Sequence, residues 1–426
     1  MTTADVSPAA LARANETAVQ RMFAAEPVLE AVVPLRDAVP AMPENMVLTS
    51  GAPSAVEEYR GGQRRAVCYA AVYEGLAPTA EEAERMLQSG ELLIGACQDY
   101  GCVGSLAGIY TRSMPVFVVR NHTDGNVAYC NFYEGESRRR LNYGVYDADV
   151  EAGLRLIERV LAPVIATAIE SAGEIPLKPI MRRAVNMGDE LHSRNTAGSL
   201  LFARELFPHL AGVAAEAPDD MRRTIEFLSV SEYFFLRLSM AAAKATADAA
   251  HGVQGSSVVT GMLLSGHDFA IRVSGLGDEW LRGPLPTGDV KLFEGYTEDD
   301  IEYMGGESCM TECIGLGGFA QAAAPALQAY QGGTAEAMVQ TTLRMYDITT
   351  AENPDWKIPY LGYRGTPTGI DVFKVLETGV LPVIDGGLAG KDGGQIGAGI
   401  LRPPMECFEQ AGRMLQAAGV TPPARA

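Results

Sequence analysis

Histidine is scarce in this sequence, with five in 426 residues, and so is positive charge: 34 Lys and Arg stand against 53 Asp and Glu, a net charge of −19. That deficit excludes a nucleic-acid binder, because a phosphate backbone demands a basic face, and it disfavours adsorption to anionic membranes. An anionic small substrate has to be captured by a local basic pocket rather than steered by the global field. Long apolar runs are missing as well. The longest uncharged stretch, residues 313–334, is broken by Gly, Gln and Pro and is too polar for a spanning helix. The opening segment MTTADVSPAALARANETAVQ lacks a basic region followed by an apolar one, so no secretory signal is expected. The seven cysteines are odd in number and contain no C-x-x-C pair, which argues against a disulfide framework and a zinc knuckle. Reduced thiols and a cytoplasmic location are the expectation.

What is present, 47% hydrophobic and 20% charged residues, describes a soluble globular chain of two or three domains. Ser7-Pro8 opens a helix, and Thr79 with Glu82 forms a capping box for a helix that stops at Gly90. PVFVVRN and NVAYCNFY flank an Asp-Gly turn and read as a hairpin. From 147 to 252 the pattern is almost wholly helical, with Asp147 as a cap and helices expected at 177–187, 190–206, 219–228 and 231–251. SSVVTGMLL and FAIRVSG form a second hairpin. Residues 275–306 are Gly-rich, acidic and poorly periodic, as in a long surface excursion. The resulting expectation is an α+β, multidomain mixed α/β fold with antiparallel hairpins and an inserted helical subdomain. Its parts are an N-terminal α/β domain (1–146), the helical subdomain (147–252) and a C-terminal α/β domain with Gly-rich loops (253–426).

Several segments can carry chemistry. GGESCMTECIGLGGFA (305–320) is not a dinucleotide fingerprint, since no strand precedes it and no acid follows at the required distance. Gly315, Gly317 and Gly318 then form either an anion-binding turn or a tight packing contact. Glu307 and Glu312 beside them are surface or pocket acids. DGGLAGKDGGQIGAG (385–399) is not a Walker A loop, and its preferred reading is a Gly-rich loop that brings Lys391, Gly394, Gln395 and Gly397 to a small anion. YEGESRRRLNYG holds three consecutive arginines, ordinarily a solvated face and otherwise a clamp for phosphate or carboxylate. Arg272 lies in an apolar strand and needs an anionic partner, which a substrate can supply. Lys244 is expected to face solvent, and the histidines at 122, 209, 251 and 267 to be structural. MGDELHSRN (187–195) is the first choice for a reactive site. Asp189 caps a helix there, while Glu190, His192, Arg194 and Asn195 sit on its first turn as the catalytic candidates.

MGDELHSRN, EYFFLRLSMAAAK, FAIRVSGLGDEW, TECIGLGGFAQAAAPA and GQIGAG, in that order, resemble the YlbE/YahG-like family over essentially the whole chain. The resemblance implies a mixed α/β multidomain fold with a helical insert. One member of that family is a subunit of a bacterial oxamate carbamoyltransferase of anaerobic allantoin breakdown, assembled with FdrA-like and AllH-like subunits. The implied activity is carbamoyl transfer between phosphate and a small oxamate- or ureido-type acid. The implied partners are those subunits or further copies of the chain. No resident cofactor or metal is expected, phosphate or carbamoyl phosphate being a substrate. An amidohydrolase or ring-opening enzyme of ureide breakdown, or a non-catalytic scaffold subunit, is the alternative. Residue chemistry assigns the proton shuttle to His192, and the anion clamp to Arg194, Arg272, Lys391 and the Gly-rich loops. The chain departs from the family pattern where histidines stand in other members: it has Thr49, Gln98 to Tyr100, and Ala389 to Lys391.

Overall fold

The computed structural model describes residues 6–213 and 216–422. The local signals act as expected at several places. Ser7 accepts from the Ala10 N–H at the start of the helix Pro8–Ala24. Thr79 accepts from Glu82 N, and Gly90 closes the helix Ala80–Ser89 in the left-handed conformation that a side chain would resist. Asp147 caps Ala148–Leu156, which runs through a wider turn at Ile157–Leu161 into Ala162–Ala172.

The fold is α+β, with sheets that are mostly antiparallel. One sheet orders the strands Val127–Asn131, Pro115–Asn121, Pro27–Pro34 and Ile175–Pro176. A second orders Thr287–Leu292, Gln395–Arg402, Ile384–Gly390 and Ile301–Glu302. Val259–Leu264, Phe269–Val273 and Leu281–Gly283 make a third, and Thr349–Ile358 pairs with Arg364–Ile370. The parallel pairing is Met46–Thr49 on Leu93–Ala96. The boundaries expected at 146/147 and 252/253 fall between elements. The largest apolar cluster nonetheless draws on all three segments, Leu29, Phe202 and Phe408 among them.

Three expectations need correction. Residues 275–306 are not simply a surface excursion, because they supply outer strands to two sheets. The glycines of 385–399 do not form a loop: Ile384–Gly390 and Gln395–Arg402 are a hairpin turning at 391–394. Glycine suits these strands because neighbours crowd them; a Cβ on Gly399 would lie 2.3 Å from Asp289 O. The helix expected from residue 190 begins only at Thr196 and runs to Val213. The stretch before it is irregular for a reason that lies in the site.

Candidate functional site

The helix Leu177–Asn186 ends at Gly188, whose φ is +100°. The chain then folds inward around its own acids instead of starting the next helix. The Glu190 carboxylate accepts the backbone N–H groups of His192, Ser193 and Arg194, so three amides that a helix start would offer to solvent converge on one buried side chain. This turn requires Leu191 to adopt φ +67°, unusual for a residue with a Cβ. Leu191 N donates to Arg194 O and its carbonyl accepts from Ser239 Oγ, holding the strained backbone in place. Asp189 does cap, but at a distance: its Oδ2 accepts Gly198 N, in the first turn of Thr196–Val213.

The turn delivers His192, almost fully buried, to Glu312. Its Nδ1 lies 2.7 Å from Glu312 Oε1. That oxygen also accepts Gly318 N and Asp385 N at 3.1 Å each, while Oε2 accepts from Thr311 Oγ1 at 2.9 Å. Burial opposes protonation of His192, but the charge and hydrogen bond of Glu312, with the charge of Asp385, outweigh it and raise its pKa above the ordinary histidine value. With Nδ1–H engaged by a carboxylate, Nε2 is the nitrogen left for a ligand.

Behind this pair sit two more buried acids. Burial, and then the charge of Glu312, raises Asp385 to about 6. Burial and the neighbouring Asp385 push Glu190 well above the usual carboxylate range. The two carboxyls are in contact, so ionising one disfavours ionising the other. Gln321 Nε2 donates to Asp385 Oδ1.

His192 and Asp385 open onto a cavity of about 320 Å³. Arg138, Arg140 and Arg237 line its wall as well. Arg237, 3% exposed, donates through Nη1 to Asn131 Oδ1 at 3.1 Å. Arg140 packs over the rings of Tyr143 and Tyr133, at 4.7 and 5.2 Å from their centres. Arg138 reaches Tyr296 OH and, at 3.3 Å, Gln395 O. The cavity thus combines an imidazole able to pass a proton, a buried carboxyl at Asp385 and three guanidinium groups, a set suited to a small anion whose bond cleavage needs proton transfer.

Of the residues expected from sequence, the structure brings His192 and Gln395 to this cavity. Gln395 Nε2 is bonded to Tyr330 OH and to Gly397 O. Glu190 and Asn195 lie behind its wall as positioning residues; Asn195 Nδ2 holds His192 O at 2.8 Å. Arg194 turns away, with Nε on Gly188 O, and faces a separate groove. Arg272 does not line this cavity; it pairs with Asp248 and stacks on Trp280. Lys391 is exposed and bonds Asp299 O at the hairpin turn. Gly394 shares that turn, its φ being +73°.

The glycines of 315–318 serve close packing. A Cβ on Gly317 would fall 2.1 Å from Glu312 Oε1, one on Gly318 2.1 Å from Val383 O, and one on Gly315 2.1 Å from Thr368 Oγ1. Gly318 N donates to the Glu312 carboxylate, whereas Gly315 N and Gly317 N donate to the backbone carbonyls of Glu312 and Glu190. Gly397 is likewise crowded: a Cβ there would lie 2.8 Å from Lys291 O. Lys244 is buried rather than solvated, on Asp248 Oδ2 and Gln98 Oε1. Gln98 in turn donates to the buried Glu307. Two of the positions where histidines are missing hold neutral hydrogen-bonded groups: Gln98, and Thr49, which donates to Ala107 O and accepts from Gln63.

Sequence reasoning left Glu312 open between a surface and a pocket acid, and gave no role to Asp385 or Arg237. The signal for Arg237 was an arginine inside the apolar run FFLRLSM; nothing local distinguishes Glu312 or Asp385. Arg138 and Arg140 belong to the triple-arginine run; both line the cavity, while Arg139 between them is exposed and paired with Asp147.

The comparisons agree with this architecture. The family model for the oxamate carbamoyltransferase subunit AllG matches residues 93–308. The chain is 36% identical to the oxamate carbamoyltransferase subunit AllG of Escherichia coli (strain K12), over 94% of this chain and 96% of that one. It is 40% identical to the uncharacterized protein YahG of the same organism, over 94% and 85% respectively. A crystal structure of a conserved protein of unknown function from Enterococcus faecalis V583 superposes with a TM-score of 0.93 at 38% identity, covering 96% of this chain and 98% of that one. Among the described residues no helix is long and apolar enough to cross a membrane. On the family model and on identity across nearly the whole length, the chain belongs to the AllG family of oxamate carbamoyltransferase subunits.

Proposed function

We propose that this chain is a carbamoyltransferase subunit that moves a carbamoyl group between phosphate and a small oxamate- or ureido-type acid, working in the cytoplasm with FdrA-like and AllH-like subunits. The observation that carries the reading is His192, anchored through Nδ1 on the buried Glu312 at the wall of an arginine-lined cavity. In the phosphorolytic direction a phosphate oxygen attacks the carbamoyl carbon and the C–N bond breaks. The departing amide nitrogen is too basic to leave as an anion and takes a proton from His192 Nε2. The proton lost by the attacking phosphate restores the imidazolium, so the products are the amide acid and carbamoyl phosphate. Glu312 holds the ring and stabilises its charged form. Glu190 and Asn195 hold the loop that presents it. The reading invokes no cofactor.

The test is to incubate the chain, alone and with its FdrA-like and AllH-like partners, with carbamoyl phosphate and a panel of amide acids. Phosphate release that depends on the amide acid is expected in the assembled complex. No phosphate release in any combination, or conversion of a ureide by water with no need for phosphate, would contradict the reading.

A further inference from the structure

Arg237 and Arg140 carry charges that the protein leaves unpaired. Among the described residues neither has an Asp or Glu oxygen within salt-bridge distance, although most other buried cations do: Lys178 has Asp355, Lys244 has Asp248, and Arg272 has the same Asp248. Arg237 is almost wholly buried, and its guanidinium bonds the neutral Asn131 amide while its Nε has no partner. Asn131 is itself fixed through Nδ2 to Ile109 O, so it orients Arg237 without neutralising it. The Arg140 Nε is also buried without a partner. The acids on the neighbouring loop are engaged elsewhere: Glu134 accepts from Leu141 N and from the N–H and side chain of Asn142, and Glu136 accepts from Tyr133 OH.

Guanidinium does not deprotonate in a protein, so burial leaves it charged and strongly in need of a counter-ion. The two aromatic faces around Arg140 and the nearby charge of Glu134 offset part of that need, but the Nε–H keeps no partner. Both side chains line the one cavity that also receives His192.

We propose that Arg237 and Arg140 form the oxyanion anchor of this cavity, taking one small phosphate or carboxylate group of the ligand by their free N–H groups. The inference deepens the function proposed above, since it takes the same cavity as the substrate site. It also replaces Arg272, Lys391 and the glycine turns as the source of the anion clamp. Arg138, exposed at the cavity mouth and tied to Tyr296, flanks the anchor but is not part of it.

The experiment is calorimetric titration of the full chain with inorganic phosphate and, separately, with oxamate, using acetamide as the uncharged control. The wild-type chain is expected to bind at least one of the two anions and not acetamide. Arg237→Gln and Arg140→Gln should each weaken that binding by roughly ten- to hundredfold, the range for a charge-assisted hydrogen bond. Arg237→Lys, which keeps the charge and loses the fork, should fall between. Arg139→Gln, altering the exposed neighbour paired with Asp147, should bind as wild type does. Loss confined to phosphate assigns the anchor to the phosphoryl group, and loss confined to oxamate assigns it to the carboxylate; either supports the anchor. If Arg237→Gln does not fold, Arg140→Gln and Arg237→Lys decide the matter. Binding of neither anion by wild type, or unchanged affinity in the Arg237 and Arg140 variants, would overturn the inference. Anion binding that depends on Arg237 in a complex with no carbamoyl transfer would retain the anchor and remove the function proposed above. Transfer with undiminished anion affinity in Arg237→Gln would do the reverse.

Discussion

Glu312 does two things to His192: it fixes which ring nitrogen faces the cavity, and it favours the charged ring. Both effects are testable through pH. Burial alone lowers the histidine pKa, and the Glu312 charge and hydrogen bond reverse that outcome. Replacing Glu312 with Gln removes the charge and keeps an oxygen that can accept Gly318 N and Asp385 N. The limb of the pH–kcat/KM profile that belongs to His192 should therefore move to lower pH in Glu312→Gln; an unmoved limb would contradict the pairing. The same sign governs stability. A histidine with a raised folded-state pKa stabilises the fold below its unfolded value of about 6.5, and that contribution fades as pH rises through the folded value. The melting temperature of Glu312→Gln should accordingly fall further below wild type at pH 5.5 to 6, about where the charged pair counts, than at pH 8.5.

At the scale of elements, the turn at 187–195 exists because the amides after Gly188 are turned onto Glu190 and the helix start is displaced to Thr196. Asp189 is the cap of that displaced helix, reaching Gly198 N at 2.8 Å. Asp189→Ala should destabilise the chain by about 1–2 kcal/mol in chemical denaturation. Asp189→Asn, which retains an accepting oxygen and removes a carboxyl that burial raises to about 6, should cost less. Equal losses would mean that charge, not capping, is what matters there. Caps, Gly stops and β-branched hairpins were legible in the sequence because their causes are local: Ser7, Thr79, Asp147 and the Val-rich pair 115–131 each act within a few residues. The hairpin 384–402 was not, since Gly-rich strands have neither alternation nor β-propensity. They are strands because the opposing backbone at Asp289 to Leu292 leaves no room for side chains. The false helix at 190 arose for a related reason. The residue types of a helix start are those of an inward-folded acid turn, and Leu191 gives no hint of its φ.

At the scale of the whole molecule, the site joins parts of the chain that no local pattern relates. His192 meets Glu312 across 120 positions, Asp385 meets Glu312 across 73, and Arg237 meets Asn131 across 106. The loop carrying His192 could be found because histidine is rare and its neighbours are polar. Its partners could not, since an acid in a Gly-rich run reads the same whether buried or solvated. The overall charge of −19 sharpens the consequence: the arginines of the cavity stand against a repulsive field, so anion capture depends on local geometry. The proposed role of His192 is that of the proton-transfer group in a phosphate-dependent carbamoyl transfer. It is tested most directly by measuring that transfer in the complete complex with wild-type chain and with His192→Gln, after confirming equal assembly. A fall in kcat of at least about a hundredfold, roughly 2.7 kcal/mol in the barrier, is the predicted result. Transfer within about threefold of wild type in that complex would contradict it.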